Sequence, residues 1–185
     1  MRFRAFALAF VSLAAFSAAP KPQVKFTTNL GSFTLELEPA AAPKTVANFL
    51  AYVRSGHYKG TVFHRVIAKF MIQGGGMTAE GQEKPTQGPI PNEAKQALEK
   101  GVRNSRGAIA MARTPEPHSA TSQFFVNTVD NAALDFPSQD GWGYCAFGHV
   151  IEGMATVDKI RDVKTDPGDR PLQPVLIESA TVVGK

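Results

Sequence analysis

Residues 62–76 constrain the chain most. They read Val62-Phe63-His64-Arg65-Val66-Ile67-Ala68-Lys69-Phe70-Met71-Ile72-Gln73-Gly74-Gly75-Gly76. Apolar and polar residues interleave at short range, the pattern of a strand. Strict alternation sends Phe63, Arg65 and Ile67 to one side and Val62, His64 and Val66 to the other. Ala68 and Lys69 make a short connection, residues 70–73 form a second short strand, and the three glycines stop it. An arginine on a strand, followed closely by Phe70, Met71 and Gln73, sets a fixed donor beside apolar surface. On the residues alone, Arg65 reads first as a surface salt-bridge partner, and Phe70, Met71 and Phe125 as core.

The rest of the chain is mostly β in pattern. Residues 24–29 and 32–38 form a hairpin, with Phe33, Leu35 and Leu37 alternating against Thr34, Glu36 and Glu38. Pro39 offers no N–H to a ladder and ends it. Residues 43–55 are the clearest helix: Pro43 suits its first turn, and Val46, Phe49, Leu50 and Val53 make one apolar stripe. Gly56 suits the left-handed stop. Residues 77–106 read as a long irregular stretch, of a length that is functional or ordered by its own contacts. Strands resume at 107–112, 123–128 and 144–150. A second helix spans 152–163, with Met154, Val157 and Ile160 on one side, and a final strand spans 174–183. About eight strands and two helices favour a sandwich or a barrel.

A chain of 185 residues with 43% hydrophobic residues suits one domain with one sizeable core. Its net charge of +4 comes from 20 basic and 16 acidic residues without a concentrated patch, which argues against nucleic acid as a partner. Residues 1–19 read as a secretory signal peptide: Arg2 and Arg4 make a positive start, residues 5–16 are apolar apart from Ser12, and Ser17, Ala18 and Ala19 follow. The apolar run is shorter than the roughly 20 residues that span a bilayer. The mature domain is then 20–185, with no membrane association after cleavage. Cys145 has no partner for an internal disulfide and reads as buried and inert. His57, His64, His118 and His149 lack the close paired spacing of a zinc site, so no metal is expected. Gly74-Gly75-Gly76 lacks the lysine and Ser/Thr of a phosphate loop.

Three runs, in order, carry a family resemblance. The first is 62–76. The second is Gly107-Ala108-Ile109-Ala110-Met111-Ala112-Arg113 followed by Ser122-Gln123-Phe124-Phe125-Val126-Asn127. The third is Gly143-Tyr144-Cys145-Ala146-Phe147-Gly148-His149-Val150. Together they closely resemble the cyclophilins, the cyclosporin-binding peptidyl-prolyl cis-trans isomerases, over about residues 24–182. The resemblance implies a closed eight-stranded antiparallel β-barrel capped by two α-helices, and an enzyme that needs neither metal nor cofactor. Its partners would be proline-containing polypeptides, and it would act as a monomer.

The resemblance also implies a site. Arg65 would bond to the twisted prolyl amide, with Gln73 supporting it. Phe70, Met71, Phe125 and Leu134 would line the proline pocket, with Phe70 and Phe125 beside Arg65 and Gln73 at the catalytic centre. Ala112, Arg113 and Gln123 match positions that meet the peptide backbone, Ala112 and Arg113 through backbone groups. Tyr144 completes the substrate-binding set. Compared with cyclosporin-sensitive members, Ala133 stands in place of Trp, Tyr144 in place of His and Arg113 in place of Asn, which implies weak cyclosporin binding. The segment Ala112-Arg113-Thr114 with Ser119-Ala120-Thr121-Ser122 is similar to bacterial members. With the signal peptide, this implies a periplasmic enzyme assisting the folding of exported proteins. A peptide-binding module or chaperone on the same scaffold is the competing reading.

Overall fold

The computed structural model describes residues 21–183. The segment read as a signal peptide lies outside them. Eight strands form one antiparallel sheet: β1 (Gln23–Thr28), β2 (Gly31–Leu37), β3 (Thr61–Ile67), β4 (Met71–Thr78), β5 (Ala108–Met111), β6 (Phe124–Asn127), β7 (Ala146–Glu152) and β8 (Ile177–Val183). Their order across the sheet is β3-β4-β6-β5-β7-β2-β1-β8.

The sheet is curled but open, which corrects the expected closed barrel. Its end strands, β3 and β8, share no ladder. They meet through an isolated bridge, Val62 to Leu176, and through Gly60 N–H to the Ile177 carbonyl at 2.9 Å. The reason lies in residues 162–176, where Pro167, Pro171 and Pro174 remove N–H donors that a ladder would need. The outward groups of β3 bond to loop carbonyls instead: Phe63 N–H to Val175 O at 3.0 Å and Val66 N–H to Asp169 O at 2.8 Å.

Among the described residues three helices accompany the sheet, where two were expected: α1 (Pro43–Arg54), α2 (Ala94–Glu99) and α3 (Met154–Arg161), with a 3-10 turn at Ala132–Leu134. The extra one, α2, sits inside the stretch read as irregular. Six residues are too few to display a helical period, and only Ala94 and Ala97 are buried. The residue before it ties the stretch down. Glu93 is itself buried, and its carboxylate accepts Lys44 N–H at 3.2 Å, Thr45 N–H at 2.8 Å and the Thr45 hydroxyl at 2.8 Å. It thereby caps α1, whose own N-cap, Ala42, has no side chain to do so.

The strand faces separate two apolar clusters. The larger one gathers Phe26, Phe33, Phe49, Tyr58, Phe63, Phe124 and Phe147 with the apolar stripe of α1 and with Val157 and Ile160 of α3. Phe124 is at the centre, with ring centroids 5.4 Å from Phe26, 5.4 Å from Tyr58, 5.8 Å from Phe49 and 6.0 Å from Phe63. The smaller cluster, Met71, Ala110, Phe125 and Ala146, lies on the other face, with Ile67, Phe70, Ala112, Leu134 and Tyr144 packed against it.

Candidate active site

The smaller apolar cluster is the floor of a cleft, and β3 shows how a cation comes to stand on its rim. In the β3–β4 register Phe63 faces Gly74 while Arg65 faces Gln73, so β3 advances two residues for one on β4. This bulge breaks the alternation expected from the sequence. Phe63 turns into the large core with Val66, while Arg65 goes to the cleft and Ile67 packs against its floor. His64 lies away from the cleft, against Arg170 and Pro174. Burial and the neighbouring Arg65 and Arg170 push its imidazole below the ordinary range.

β4 also departs from the strand of residues 70–73 expected from the sequence. It starts at Met71, after a turn that holds Phe70, and runs through all three glycines to Thr78. The glycines permit close approach. A Cβ at Gly75 would sit 2.7 Å from the Phe124 ring, and one at Gly76 would collide with the Gln123 side chain. They let β4 lie flat against β6 where the cleft floor continues into the core.

Nine of the ten residues singled out from the sequence line one cleft: Arg65, Phe70, Met71, Gln73, Ala112, Arg113, Phe125, Leu134 and Tyr144. Its volume is about 120 Å³, well below the roughly 300–1,000 Å³ of drug-sized sites and on the scale of one side-chain ring. The tenth, Gln123, lies in an adjoining groove of about 170 Å³, with Thr114, Ser119 and Thr121. Gln73, Ala112 and Arg113 border both spaces.

Met71 and Phe125 are buried on the floor, and Phe125 meets Tyr144 edge-on at 5.8 Å. Phe70 and Leu134 are half-buried at the sides, Leu134 from the 3-10 turn. The Arg65 side chain remains 46% exposed, so its guanidinium is free to meet an incoming acceptor. Its Nε lies 3.7 Å from Asp169 Oδ2. Among the described residues Gln73 accepts no hydrogen bond from Arg65; its amide NH2 donates to Gln123 Oε1 at 3.0 Å and joins the two spaces. Arg113 borders the cleft too, and its guanidinium is engaged by the Gly143 and Thr114 carbonyls. Trp142, the one indole of the chain, is not among the lining residues; it packs edge-on against His118 at 4.8 Å.

Sequence reasoning missed Asp169, which belongs to a loop built by Asp166: the Asp166 carboxylate accepts Gly168 N–H and Arg170 N–H, each at 2.9 Å. The sequence Asp166-Pro167-Gly168 has the composition of a turn, but nothing in it points to Arg65. Thr114, Ser119 and Thr121 carried no signal beyond their place in a family-like run. Cys145 is buried under Thr45, and burial pushes its thiol up to about 12. Among the described residues no group of three or more His, Cys, Asp or Glu side chains could hold a metal ion.

A slot with an apolar floor and a cation at its rim can grip a small ring and offer a charged donor to an atom beside it. The comparisons agree with that chemistry. The family model described as "Cyclophilin type peptidyl-prolyl cis-trans isomerase/CLD" matches residues 23–182. A peptidyl-prolyl cis-trans isomerase of Streptomyces antibioticus is 56% identical over 167 residues, covering 87% of this chain and 98% of its own. Peptidyl-prolyl cis-trans isomerase B of Escherichia coli is 50% identical over 165 residues, covering 86% and 98%. A crystal structure of a Cryptosporidium parvum cyclophilin-type isomerase, solved in the presence of the dipeptide Ala-Pro, superposes with a TM-score of 0.71 at 27% identity, covering 88% of this chain and 99% of that one.

Proposed function

The chain belongs to the cyclophilin-type peptidyl-prolyl cis-trans isomerases, and from this we propose that it turns over Xaa-Pro bonds of exported polypeptides in the cleft between Arg65 and Phe125. A prolyl amide resists rotation because the nitrogen lone pair is delocalised into the carbonyl, with a barrier of roughly 18–20 kcal/mol. No bond breaks, so the protein's task is to favour the twisted amide over both planar forms. In the twisted state the nitrogen pyramidalises and its lone pair becomes an acceptor. Arg65 donates to it, with a planar fork that stays charged. Phe70, Met71, Phe125 and Leu134 hold the proline ring while the preceding residue rotates. Backbone groups of Ala112 and Arg113, with the Gln73–Gln123 pair, hold the flanking peptide. The observation that carries this reading is the placement of Arg65 at the rim of an apolar slot sized for one ring.

Turnover is expected to persist in excess chelator, measured by NMR exchange on an Ala-Pro peptide with the mature chain. Loss of activity on chelation, or well-folded protein with peptide affinity and no exchange enhancement, favours the binding-module reading.

Export rests on the order of features in residues 1–19. The protein acts in the periplasm as a monomer, on folding chains whose prolyl bonds exchange in tens to hundreds of seconds. Mass spectrometry of the periplasmic fraction should find a chain that begins near Ala18. Full-length protein retained in the cytoplasm would sink this part.

Cyclosporin binds weakly. Ala133, next to the cleft-lining Leu134, is exposed and small where sensitive members carry Trp. A missing hydrogen bond is worth about 0.5–1.5 kcal/mol and the missing apolar contact adds to it, so affinity falls roughly ten- to a hundredfold. Ala133→Trp should recover part of it, read by titration of the drug against isomerase activity. Wild type binding as tightly as the variant would overturn the expectation, and Trp142→Ala would then show whether Trp142 substitutes for it.

A further inference from the structure

Asp140 does not itself line the cleft, yet it is bonded to Arg113, which does, and to the loop that leads into Tyr144. One carboxylate oxygen accepts Trp142 N–H at 2.9 Å and Gly143 N–H at 3.0 Å, which folds the loop that delivers Tyr144. The other forms an ion pair with Nη2 of Arg113. The Arg113 side chain is only 3% exposed. Its Nε and Nη2 also donate to the Gly143 carbonyl, at 3.2 and 3.0 Å, and Nη1 donates to the Thr114 carbonyl at 3.0 Å. The guanidinium lies 4.4 Å from the centre of the Tyr144 ring, and that ring stands edge-on to Phe125. At the base of the loop, Tyr144 N–H donates to Leu134 O at 2.8 Å. The N–H of Gly143 and the guanidinium of Arg113 hold the Asp140 carboxyl well below the usual carboxylate range.

Resting on the reading of the cleft as the prolyl site, we infer that Asp140 and Arg113 form an ionic latch that sets the width of the proline-ring slot. Asp140 is a positioning residue. It fixes the Arg113 guanidinium, the guanidinium fixes the face of Tyr144, and Tyr144 fixes the open side of Phe125. Released from Asp140, the guanidinium loses its charged partner inside a nearly dry site. It keeps its bonds to the Gly143 and Thr114 carbonyls but is held on one side fewer, and its grip on the Tyr144 ring loosens. The ring wall loosens, while Arg65 on the far strand keeps its place. The latch therefore acts on peptide affinity and spares the rotation step.

The test is NMR line-shape analysis of one Ala-Pro peptide, which yields affinity and exchange rate separately, on wild type, Asp140→Asn, Arg113→Gln and the double variant. Asp140→Asn keeps a carbonyl oxygen for the Trp142 and Gly143 N–H groups, and it replaces the charged oxygen that accepts from Arg113 by an amide NH2 that cannot accept. It should weaken peptide binding about three- to tenfold, with the exchange rate of bound peptide within about twofold of wild type. The double variant should bind no more weakly than the worse single one, since both changes break one link. Wild-type affinity in Asp140→Asn, or additive losses in the double variant, overturns the latch. Equal loss of affinity and rate together with a lowered melting temperature assigns Asp140 a merely structural role and overturns it too. If Asp140→Asn does not fold, Arg113→Gln and Arg113→Lys are read for the same split, and the absence of the split decides against the latch. Wild type without exchange activity would instead remove the reading of the cleft itself.

Discussion

Arg65→Ala lowers the exchange rate of a bound Ala-Pro peptide by about a hundred- to a thousandfold and leaves its affinity nearly unchanged. The magnitude is that of one donor aimed at developing charge once bound peptide covers the half-exposed Arg65 side chain, roughly 2.7–4 kcal/mol. The split between rate and affinity follows from when the bond exists. A planar prolyl nitrogen is no acceptor, so Arg65 gains its partner only as the amide twists. An interaction confined to the transition state lowers kcat and kcat/KM together with KM little changed. Arg65→Lys should rescue little, because an ammonium lacks the planar fork and is more strongly hydrated. The Asp169 carboxylate, 3.7 Å from Nε and 42% exposed, steadies the side chain from a solvated position and contributes little on its own. Equal losses of rate and affinity in Arg65→Ala would make Arg65 a substrate anchor and strengthen the binding-module alternative.

Phe124→Ala and Phe125→Ala, adjacent on β6, should fail in different ways. Phe124 is fully buried at the centre of the large aromatic cluster. Its truncation opens a cavity among rings that cannot collapse into it, at about 3–5 kcal/mol. For a domain of this size that is a fall in melting temperature of roughly 6–20 °C. Phe125 points to the other face, where it floors the slot. Its truncation should weaken peptide binding and rate together. Melting curves and peptide titration on the two variants check this. Full peptide affinity in Phe125→Ala would remove Phe125 from the pocket wall.

Much of the site was legible because its residues fall in short strand motifs whose spacing the resemblance could match. Arg65, Met71 and Phe125 needed only the correct strands to come together, and three neighbouring strands supply them. What escaped is what local pattern does not encode. The bulge at His64 reverses Phe63 against Arg65, and alternation carries no sign of an inserted residue. The glycine run looked like a stop because the rings and side chains that demand it come from a strand some fifty positions later. The open seam depends on which carbonyls meet β3, set by prolines a hundred positions away. Asp140 and Asp169 sit in turns whose own chemistry already accounts for an aspartate, so nothing marked them as partners of distant arginines.

The pairing of β1 has a consequence for the order in which the molecule can be made. Gln23 stands opposite Glu36 on one side and Val183 on the other. Its first neighbour is synthesised at once, and its second is the last strand of the sheet. At roughly 5–20 residues per second, β1 waits on the order of 8–30 s with one backbone edge unmatched. The sheet therefore locks only after elongation has passed residue 183. A circular permutant that joins 183 to 23 and opens elsewhere would place both neighbours of β1 within one short segment and remove the wait.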